Sequence, residues 1–160
     1  MRRSVMLDTS FFIRLLKDED ALHLNAKNYF KYFLEKGVTL KVSTISIAEY
    51  CVVGKLEELP LKNIQILPFN LKDAERAGEF AEIIFKGNKI SKEKLFPRAI
   101  IPNDSKLFAQ SDIDKTITHF ITSDLRSQKT LALLKKEANL SFEVITMDIP
   151  YNEAFGILDL

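Results

Sequence analysis

The sequence contains little cysteine, glycine or histidine, and each shortage argues against a class of protein. Its single cysteine, Cys51, cannot form an internal disulfide, which fits a reducing compartment. The five glycines form no cluster, so the sequence lacks the phosphate-cradling loop of nucleotide-binding domains. Neither His23 nor His119 stands beside an acid at metal-ligand spacing, and no Ser–His–Asp or Cys–His pattern is present. We therefore expect a chemistry that does not use histidine as acid or base.

Long apolar runs and a one-sided charge are also missing. No stretch approaches the ~20 apolar residues of a membrane helix. Only three apolar residues, 5–7, separate the basic start from Asp8, too few for the core of a signal peptide. The net charge of +1 does not announce a nucleic-acid binder, although it can hide a local basic patch. We expect one globular, cytoplasmic domain over residues 1–160, with 148–160 as a C-terminal tail and no membrane contact.

Apolar runs alternate with amphipathic stretches along the chain. Five runs predict strands: Ser4–Leu7, Leu40–Thr44, Asn63–Phe69, His119–Asp124 and Phe142–Met147. Helical spacing between them predicts helices that are capped by Thr9 or Ser10, by Ser46 and by Asn70, and further helices that begin near Ala21, near Ser105 and after Asp124. Alternation of this kind favours an α/β fold, a three-layer sandwich with a central parallel sheet.

Four acids lie at junctions between these predicted elements. Asp8 follows the first strand, and Glu49 is predicted in the first turn of the helix after the second. Asp104 starts a helix, and Asp124 ends the fourth strand. Each alone is a common helix cap. Because sites in parallel sheets form at the carboxyl ends of strands, we expect the four to meet at one edge of the sheet.

Carboxylates gathered in one pocket predict a cation. Four of them would repel one another unless a positive ion lay among them. Oxygen ligands select hard cations, so we expect Mg²⁺ or Mn²⁺ in preference to zinc. Hydroxyls from Ser10, Thr122 and Ser123 lie close to these acids in sequence. The combination indicates a hydrolytic site in which a metal lowers the pKa of a bound water and stabilises charge on a phosphate.

The stretches around the acids resemble a known family. VMLDTSFFIRLL, STISIAEY, IPNDSKLFAQ and HFITSD are similar to the four acidic motifs of the PIN-domain ribonucleases, many of which are VapC-type toxins of toxin–antitoxin pairs. The resemblance extends over residues 5 to about 147. It implies a parallel sheet between helices, a pocket for Mg²⁺ or Mn²⁺, and endonucleolytic hydrolysis of RNA.

The resemblance also assigns roles, residue by residue. It implies that the catalytic acids are Asp8, Glu49, Asp104 and Asp124, and that Asp8, Asp104 and Asp124 bind the metal. Ser10 would support Asp8, while Thr122 or Ser123 would orient Asp124 or a water molecule. Its expected partners are an RNA substrate, an antitoxin protein and a second copy of the chain in a homodimer. A surplus of apolar side chains on the first two helices, among them Phe11, Phe12, Tyr29, Phe33 and Leu34, favours an interface as well.

Basic residues near two of the acids are candidates for substrate binding. Five positive charges stand against one acid in the segment 86–98: Lys86, Lys89, Lys92, Lys94 and Arg98. Lys94 and Arg98 would contact phosphates at the rim of the pocket, although a solvated surface loop explains the same charges. Arg126, two residues past Asp124, is predicted to bind a substrate phosphate through its planar guanidinium.

Two other functions stay open on the sequence. A phosphohydrolase with an aspartyl nucleophile would need a second acid two residues after Asp8, where this chain has Ser10. A PIN fold that binds RNA or protein without cleavage would keep the acids but lack carboxylate-dependent affinity for Mn²⁺. Metal binding therefore separates the second alternative from the nuclease.

Overall fold

The fold is a parallel β-sheet covered by helices on both faces, as seen in a computed structural model that describes residues 2–89 and 101–157. The strands are β1 (Ser4–Leu7), β2 (Thr39–Ser43), β3 (Ile64–Leu67), β4 (Ile117–Thr122) and β5 (Glu143–Thr146). The helices are α1 (Thr9–Leu16), α2 (His23–Glu35), α3 (Thr44–Tyr50), α4 (Leu71–Gly87), α5 (Asn103–Ile113), α6 (Arg126–Lys135) and α7 (Tyr151–Ala154). The five predicted strands and the three-layer α/β sandwich are confirmed.

The order of the strands places a crevice beside the central strand. The order is β3-β2-β1-β4-β5, and every neighbouring pair is parallel. From β1 the chain adds β2 and β3 on one side and later β4 and β5 on the other. The direction of strand addition thus reverses between β1 and β4. Crevices at such a reversal, at the carboxyl ends of the strands, are the usual sites of open α/β sheets.

The two faces of the sheet pack into separate hydrophobic cores. Val5 and Leu7 of β1 face α1 and α2, whereas Met6 faces α4, α5 and α6. All four residues of β1 are buried, which explains why this strand is apolar after Ser4 instead of alternating with polar residues. Each large apolar side chain that is fully buried here contributes about 1.5–3 kcal/mol to folding.

The first helix begins earlier than the capping hydroxyls predict. Asp8 is the cap of α1, because its Oδ1 accepts a hydrogen bond from the Thr9 backbone N–H at 2.8 Å. The predicted caps, Thr9 and Ser10, are instead the first two residues of the helix. The predicted start of α4 is confirmed, since Asn70 and Asp73 cap each other's backbone N–H groups.

The start of α3 moves Glu49 away from the helix N-terminus. Ser43, not Ser46, caps this helix, and its Oγ accepts from the Ile45 N–H at 3.1 Å. Glu49 therefore lies in the last turn of α3, where the predicted stabilisation by the positive end of the helix does not reach.

Most apolar side chains of the first two helices lie in the core. Of the nine that suggested a free surface, four are at most 1% exposed, namely Phe11, Phe12, Tyr29 and Phe33, and Leu15, Phe30 and Tyr32 are partly buried against the core. Leu16 is 38% exposed. Leu34 is 42% exposed. Part of the tail packs back onto the body, where the Phe155 ring stacks on Tyr32 at 5.2 Å between centroids. The remaining tail residues, 158–160, lie outside the described residues. The expected surplus of apolar surface is therefore largely absent from α1 and α2.

The helices of the described segments can also be compared with the length and apolarity that a membrane-spanning helix needs. None of those within 2–89 and 101–157 is both long and apolar enough to cross a bilayer. The longest of them, α4, has 17 residues and carries charged side chains along its whole length.

A largely buried ion pair joins the middle of β2 to the segment between α5 and β4. The Lys41 Nζ of β2 donates to Asp114 Oδ2 and, at 3.0 Å, to Thr116 Oγ1. The Lys41 side chain is 8% exposed and that of Asp114 is 23% exposed. Burial acts to raise the pKa of Asp114, but the hydrogen bonds from Lys41 and Thr116 outweigh it and hold that pKa below 3.8. The pair therefore stabilises the fold when Asp114 is ionised.

Replacing Asp114 by Asn should lower the free energy of unfolding at pH 7 by about 2–3 kcal/mol, because Lys41 loses its counter-charge in the core. A lowered folded-state pKa stabilises the protein fully above the unfolded value, and this stabilisation is lost as pH falls through the folded value, so the difference from wild type should shrink as pH falls below ~4. Urea denaturation at pH 7 and pH 3 measures both effects. The fully exposed Asp18→Asn is the control, and equal stabilities at pH 7 would contradict the prediction.

Candidate active site

The crevice between β1 and β4 opens into a cavity of about 510 Å³ lined by four carboxylates. Asp8 comes from the end of β1 and Glu49 from α3. Asp104 comes from the first turn of α5, and Asp124 from the turn between β4 and α6. The fold thus brings together the four acids that the sequence places at element junctions.

Asp8 is held by three neutral donors. Its Oδ1 accepts from the Thr9 N–H, and its Oδ2 accepts from Ser10 Oγ at 2.9 Å and from Thr122 Oγ1 at 2.8 Å. Burial raises the pKa of Asp8, while these hydrogen bonds act in the opposite direction and the charge of Asp124 adds to the rise. The Asp8 carboxylate therefore has a fixed orientation at the carboxyl end of the central strand, β1.

The hydroxyls of Ser10 and Thr122 also fix the turn that carries Asp124. Ser10 Oγ accepts from the Ser123 backbone N–H at 2.9 Å, and Thr122 Oγ1 accepts from the Asp124 backbone N–H at 3.0 Å. The Ser123 hydroxyl faces away from the acids, where Arg14 Nε donates to it at 3.4 Å. Ser10 and Thr122 therefore each contact Asp8 and the turn that carries Asp124, whereas Ser123 joins this network through its backbone N–H. β4 itself ends at Thr122, two residues before the predicted end.

Glu49 reaches the cavity from the side of α3. The Thr9 hydroxyl donates toward both Glu49 Oε1, at 3.3 Å, and the Ser46 carbonyl, at 3.2 Å. Burial raises the pKa of Glu49 and the charge of Asp8 raises it further, against the lowering effects of Asn103, Thr9 and Lys106. Thr9 is a site residue that the sequence analysis missed, because its contact with Glu49 spans 40 residues of chain.

Asp104 carries the clearest sign of crowding among the acids. Its pKa is raised to about 6, first by burial and then by the charges of Asp8 and Asp124. Glu49 adds to the rise, and Arg126 is the main influence that lowers the pKa. The charges of all three other carboxylates therefore raise the pKa of Asp104, so the four acids lie close enough to repel one another.

Asp124 is engaged by Arg126 in a two-pronged ion pair. Arg126 Nε donates to Asp124 Oδ1 at 3.1 Å, and Arg126 Nη2 donates to Oδ2 at 2.9 Å. The Arg126 backbone N–H donates to Oδ1 as well, at 3.0 Å. The side-chain hydrogen bonds from Arg126 hold the pKa of Asp124 below its usual range, against the opposing effect of burial. Of the described cations, Arg126 is the one that lines the cavity.

The donor chemistry of the cavity suits a hard divalent cation. Its lining offers carboxylate and hydroxyl oxygens, with no thiol or imidazole among the described lining residues. The crowding that raises the pKa of Asp104 is the condition that a cation relieves. In the arrangement seen across 2–89 and 101–157, however, no three side chains of His, Cys, Asp or Glu are placed to hold an ion together. Mg²⁺ is commonly held by one or two carboxylates together with water molecules, and in this arrangement the carboxylate of Asp124 is turned toward Arg126.

The predicted basic rim is only partly visible. Lys86 lies in the last turn of α4, and neither it nor Lys89 lines the cavity. Lys94 and Arg98 lie outside the described residues, so their contact with phosphate stays a prediction. Arg126 does stand at the pocket, as its position two residues after Asp124 suggested.

Comparison with solved structures identifies the fold. A chain in the crystal structure of VapBC2 from Rickettsia felis, bound to a DNA fragment from their promoter, matches with a TM-score of 0.56 and 18% identity, covering 88% of this chain and 97% of that one. A chain of DNA-bound VapBC from Salmonella typhimurium matches with a TM-score of 0.55 and 15% identity, covering 91% and 98%. No protein-family model and no curated protein sequence matches the chain. The chain therefore has the PIN-like α/β fold of these VapBC structures, as its four acidic motifs predicted.

Replacing Asp104 by Asn should stabilise the metal-free protein. With its pKa raised to about 6, the ionised carboxylate opposes folding at pH 7, so its removal should increase the free energy of unfolding by about 1–2 kcal/mol after allowance for solvent screening. A raised folded-state pKa has no effect once both states are protonated, so the gain should vanish below ~pH 4. Urea denaturation in EDTA measures it, and added Mn²⁺ should stabilise the variant less than wild type. A loss of metal-free stability would instead identify Asp104 as a structural cap of α5.

Proposed function

We propose that this chain is a Mg²⁺- or Mn²⁺-dependent endoribonuclease and the toxin of a toxin–antitoxin pair. The observation that carries the proposal is the convergence of Asp8, Glu49, Asp104 and Asp124, from four separate elements, on one cavity at the reversal of strand order. Neither a histidine nor a cysteine lines that cavity among the described residues. The acids are then the groups available for hydrolysis, and carboxylates act on phosphodiesters most readily with a divalent cation.

Asp8, Asp104 and Asp124 would hold the ion. Their oxygens match the preference of Mg²⁺ and Mn²⁺ for hard ligands. When bound, the ion would lower the pKa of a water molecule and offset the charge that grows on the phosphate. Asp8 supplies the rigid part of the site because its two oxygens already face Thr9, Ser10 and Thr122. The other two acids come from a helix start and a turn, where a shift toward the ion disturbs no strand.

The remaining residues would position the substrate and the water. Glu49, which accepts from the Thr9 hydroxyl, lines the cavity and can accept a hydrogen bond from a water molecule. Arg126 stands at the rim with an exposed guanidinium that can bind a backbone phosphate in the manner of other phosphate-binding arginines. Lys94 and Arg98 would extend that grip along the RNA.

The partners follow from the same proposal. The two similar structures are of VapBC bound to DNA, and we propose an antitoxin protein as the partner that silences this chain. A basic side chain of that partner, directed at Asp8 and Asp124, would suit the negative cavity. We also propose a homodimer, for which Leu16, Leu24 and Leu34 are the exposed apolar residues of α1 and α2.

Cleavage should depend on Asp8 and on metal. Asp8→Asn keeps the shape of the side chain but removes a ligand charge, so cleavage of a fluorescent RNA hairpin in Mn²⁺ should fall at least about tenfold. Asp18→Asn is the matched control, because the Asp18 side chain is 94% exposed and lies outside the cavity. Gel analysis of time courses with and without EDTA gives the measurement.

Each other outcome points to a different function. Equal rates for Asp8→Asn and wild type, or full activity in EDTA, would refute the proposed nuclease. Soluble protein without carboxylate-dependent Mn²⁺ affinity would favour a non-catalytic RNA- or protein-binding module. Phosphate transferred from a monoester to Asp8 would favour a phosphohydrolase with an aspartyl nucleophile.

The toxin and dimer assignments have their own test. Expression in a bacterial host should arrest growth, and the arrest should disappear with Asp8→Asn and with co-expression of the product of an adjacent antitoxin gene. Light scattering of purified Asp8→Asn at micromolar concentration should give twice the chain mass of 18.3 kDa. Unimpaired growth with soluble, metal-binding wild-type protein would favour an RNA-processing nuclease, and a mass near that of one chain would exclude the dimer.

A further inference from the structure

The ion pair between Arg126 and Asp124 closes off one of the proposed metal ligands. Both oxygens of Asp124 accept from the guanidinium, at 3.1 and 2.9 Å, and Oδ1 also accepts from the Arg126 backbone. The Asp124 side chain is 29% exposed, so solvent reaches the part of the carboxylate that the guanidinium does not cover. Among the ion pairs formed within residues 2–89 and 101–157, Asp124 is thus the one of the four acids that is paired with a positive charge.

The guanidinium is held by little other than this carboxylate. The Arg126 side chain is 87% exposed, so packing contributes little to its position. By contrast, Arg14, the other arginine near the turn, is bound by Asp20 at 2.7 Å and is 37% exposed. Exposed ion pairs are weak and exchange readily. Arg126 can therefore leave Asp124 without disrupting the fold.

Arg126 also acts beyond its direct partner. It is the main influence that lowers the pKa of Asp104, so its charge is felt by two of the three proposed metal ligands. A divalent cation placed among these acids would be positively charged, like the Arg126 guanidinium, and would lie close to it. Occupation by both at once would set like charges close together.

We propose that Arg126 is an internal counter-ion that holds Asp124 while the cavity is empty and is displaced from it by the divalent cation, which frees the guanidinium for a substrate phosphate. The exchange rests on the proposed function, since it assumes that the acids bind a metal. The side chain of Asp124 contacts Arg126, while its backbone is fixed next to Asp8 through Thr122, so the exchange moves side chains and leaves the backbone in place.

The competing role for Arg126 predicts the opposite sign. A side chain that merely orients a ligand from the second layer strengthens metal binding, and its loss costs about 10–100-fold in affinity. A side chain that occupies the ligand weakens metal binding, and its loss should strengthen it. The direction of the change in Mn²⁺ affinity therefore distinguishes displacement from orientation.

Mn²⁺ titration followed by electron paramagnetic resonance of the free ion tests the exchange without any RNA. Arg126→Gln should bind Mn²⁺ about two- to five-fold more tightly than wild type, the range expected for release of an exposed ion pair. Arg126→Lys keeps the charge but cannot form the two-pronged contact, and it should also bind more tightly, by a smaller factor. Lys106→Gln is the matched control for charge alone, because Lys106 affects the pKa of Glu49 but does not contact Asp124.

The outcomes separate this inference from the proposed function. Weaker or unchanged Mn²⁺ binding by Arg126→Gln would overturn the exchange, and so would an equal gain in affinity in Lys106→Gln. In either case, Mn²⁺ binding by wild type that depends on Asp8 would still support the proposed nuclease. Failure of every variant to bind Mn²⁺ would refute the metal site itself. In a Mg²⁺ titration of ¹⁵N-labelled protein, the Arg126 Nε–H resonance should shift in step with occupancy, and a resonance that stays in place would likewise refute displacement.

Discussion

Like charges in a confined space are the constraint on which the crevice depends. Burial and repulsion raise the pKa of Asp8, Glu49 and Asp104, so each ionised acid opposes folding unless something offsets it. On the strand side, neutral donors hold Asp8 by short hydrogen bonds. On the helix side, the offset is the charge of Arg126. The hydrogen bonds fix the geometry of Asp8, whereas the ion pair with Arg126 neutralises the charge of Asp124. The Asp124 side chain is therefore freer to move than that of Asp8.

The hydroxyls of the strand side each serve two carboxylate-bearing segments. Thr122 donates to Asp8 Oδ2 and accepts from the Asp124 N–H, while Ser10 donates to the same oxygen and accepts from the Ser123 N–H. Since a hydroxyl is both donor and acceptor, one atom sets the carboxylate at the end of β1 and the turn after β4. The backbone of Asp124 is consequently fixed relative to Asp8, whereas its side chain can change the group that it binds.

The parts of this fold that could be predicted from sequence are those decided locally. Apolar runs gave the five strands because both faces of the sheet are covered, and Asn70 with Asp73 predicted a helix start because both caps lie within one turn. Asp8 stood out for a related reason, as a carboxylate directly after an apolar strand. The start of α3 could not be predicted in this way. Ser43, Thr44 and Ser46 are all capping residues, and the choice depends on where the pairing of β2 with its neighbours ends.

The contacts that the sequence could not predict are those made across the fold. Thr9 meets Glu49 only because α1 and α3 lie side by side at the strand ends. The Arg126–Asp124 pair is close in sequence, yet two residues apart on a helix would not face each other. The pair forms because Asp124 precedes α6 and its side chain turns back toward the first residue of that helix. A residue predicted to bind the substrate therefore binds an acid of its own chain in this structure. Under the proposed exchange, its positive charge would become available to a phosphate only when Asp124 binds another cation.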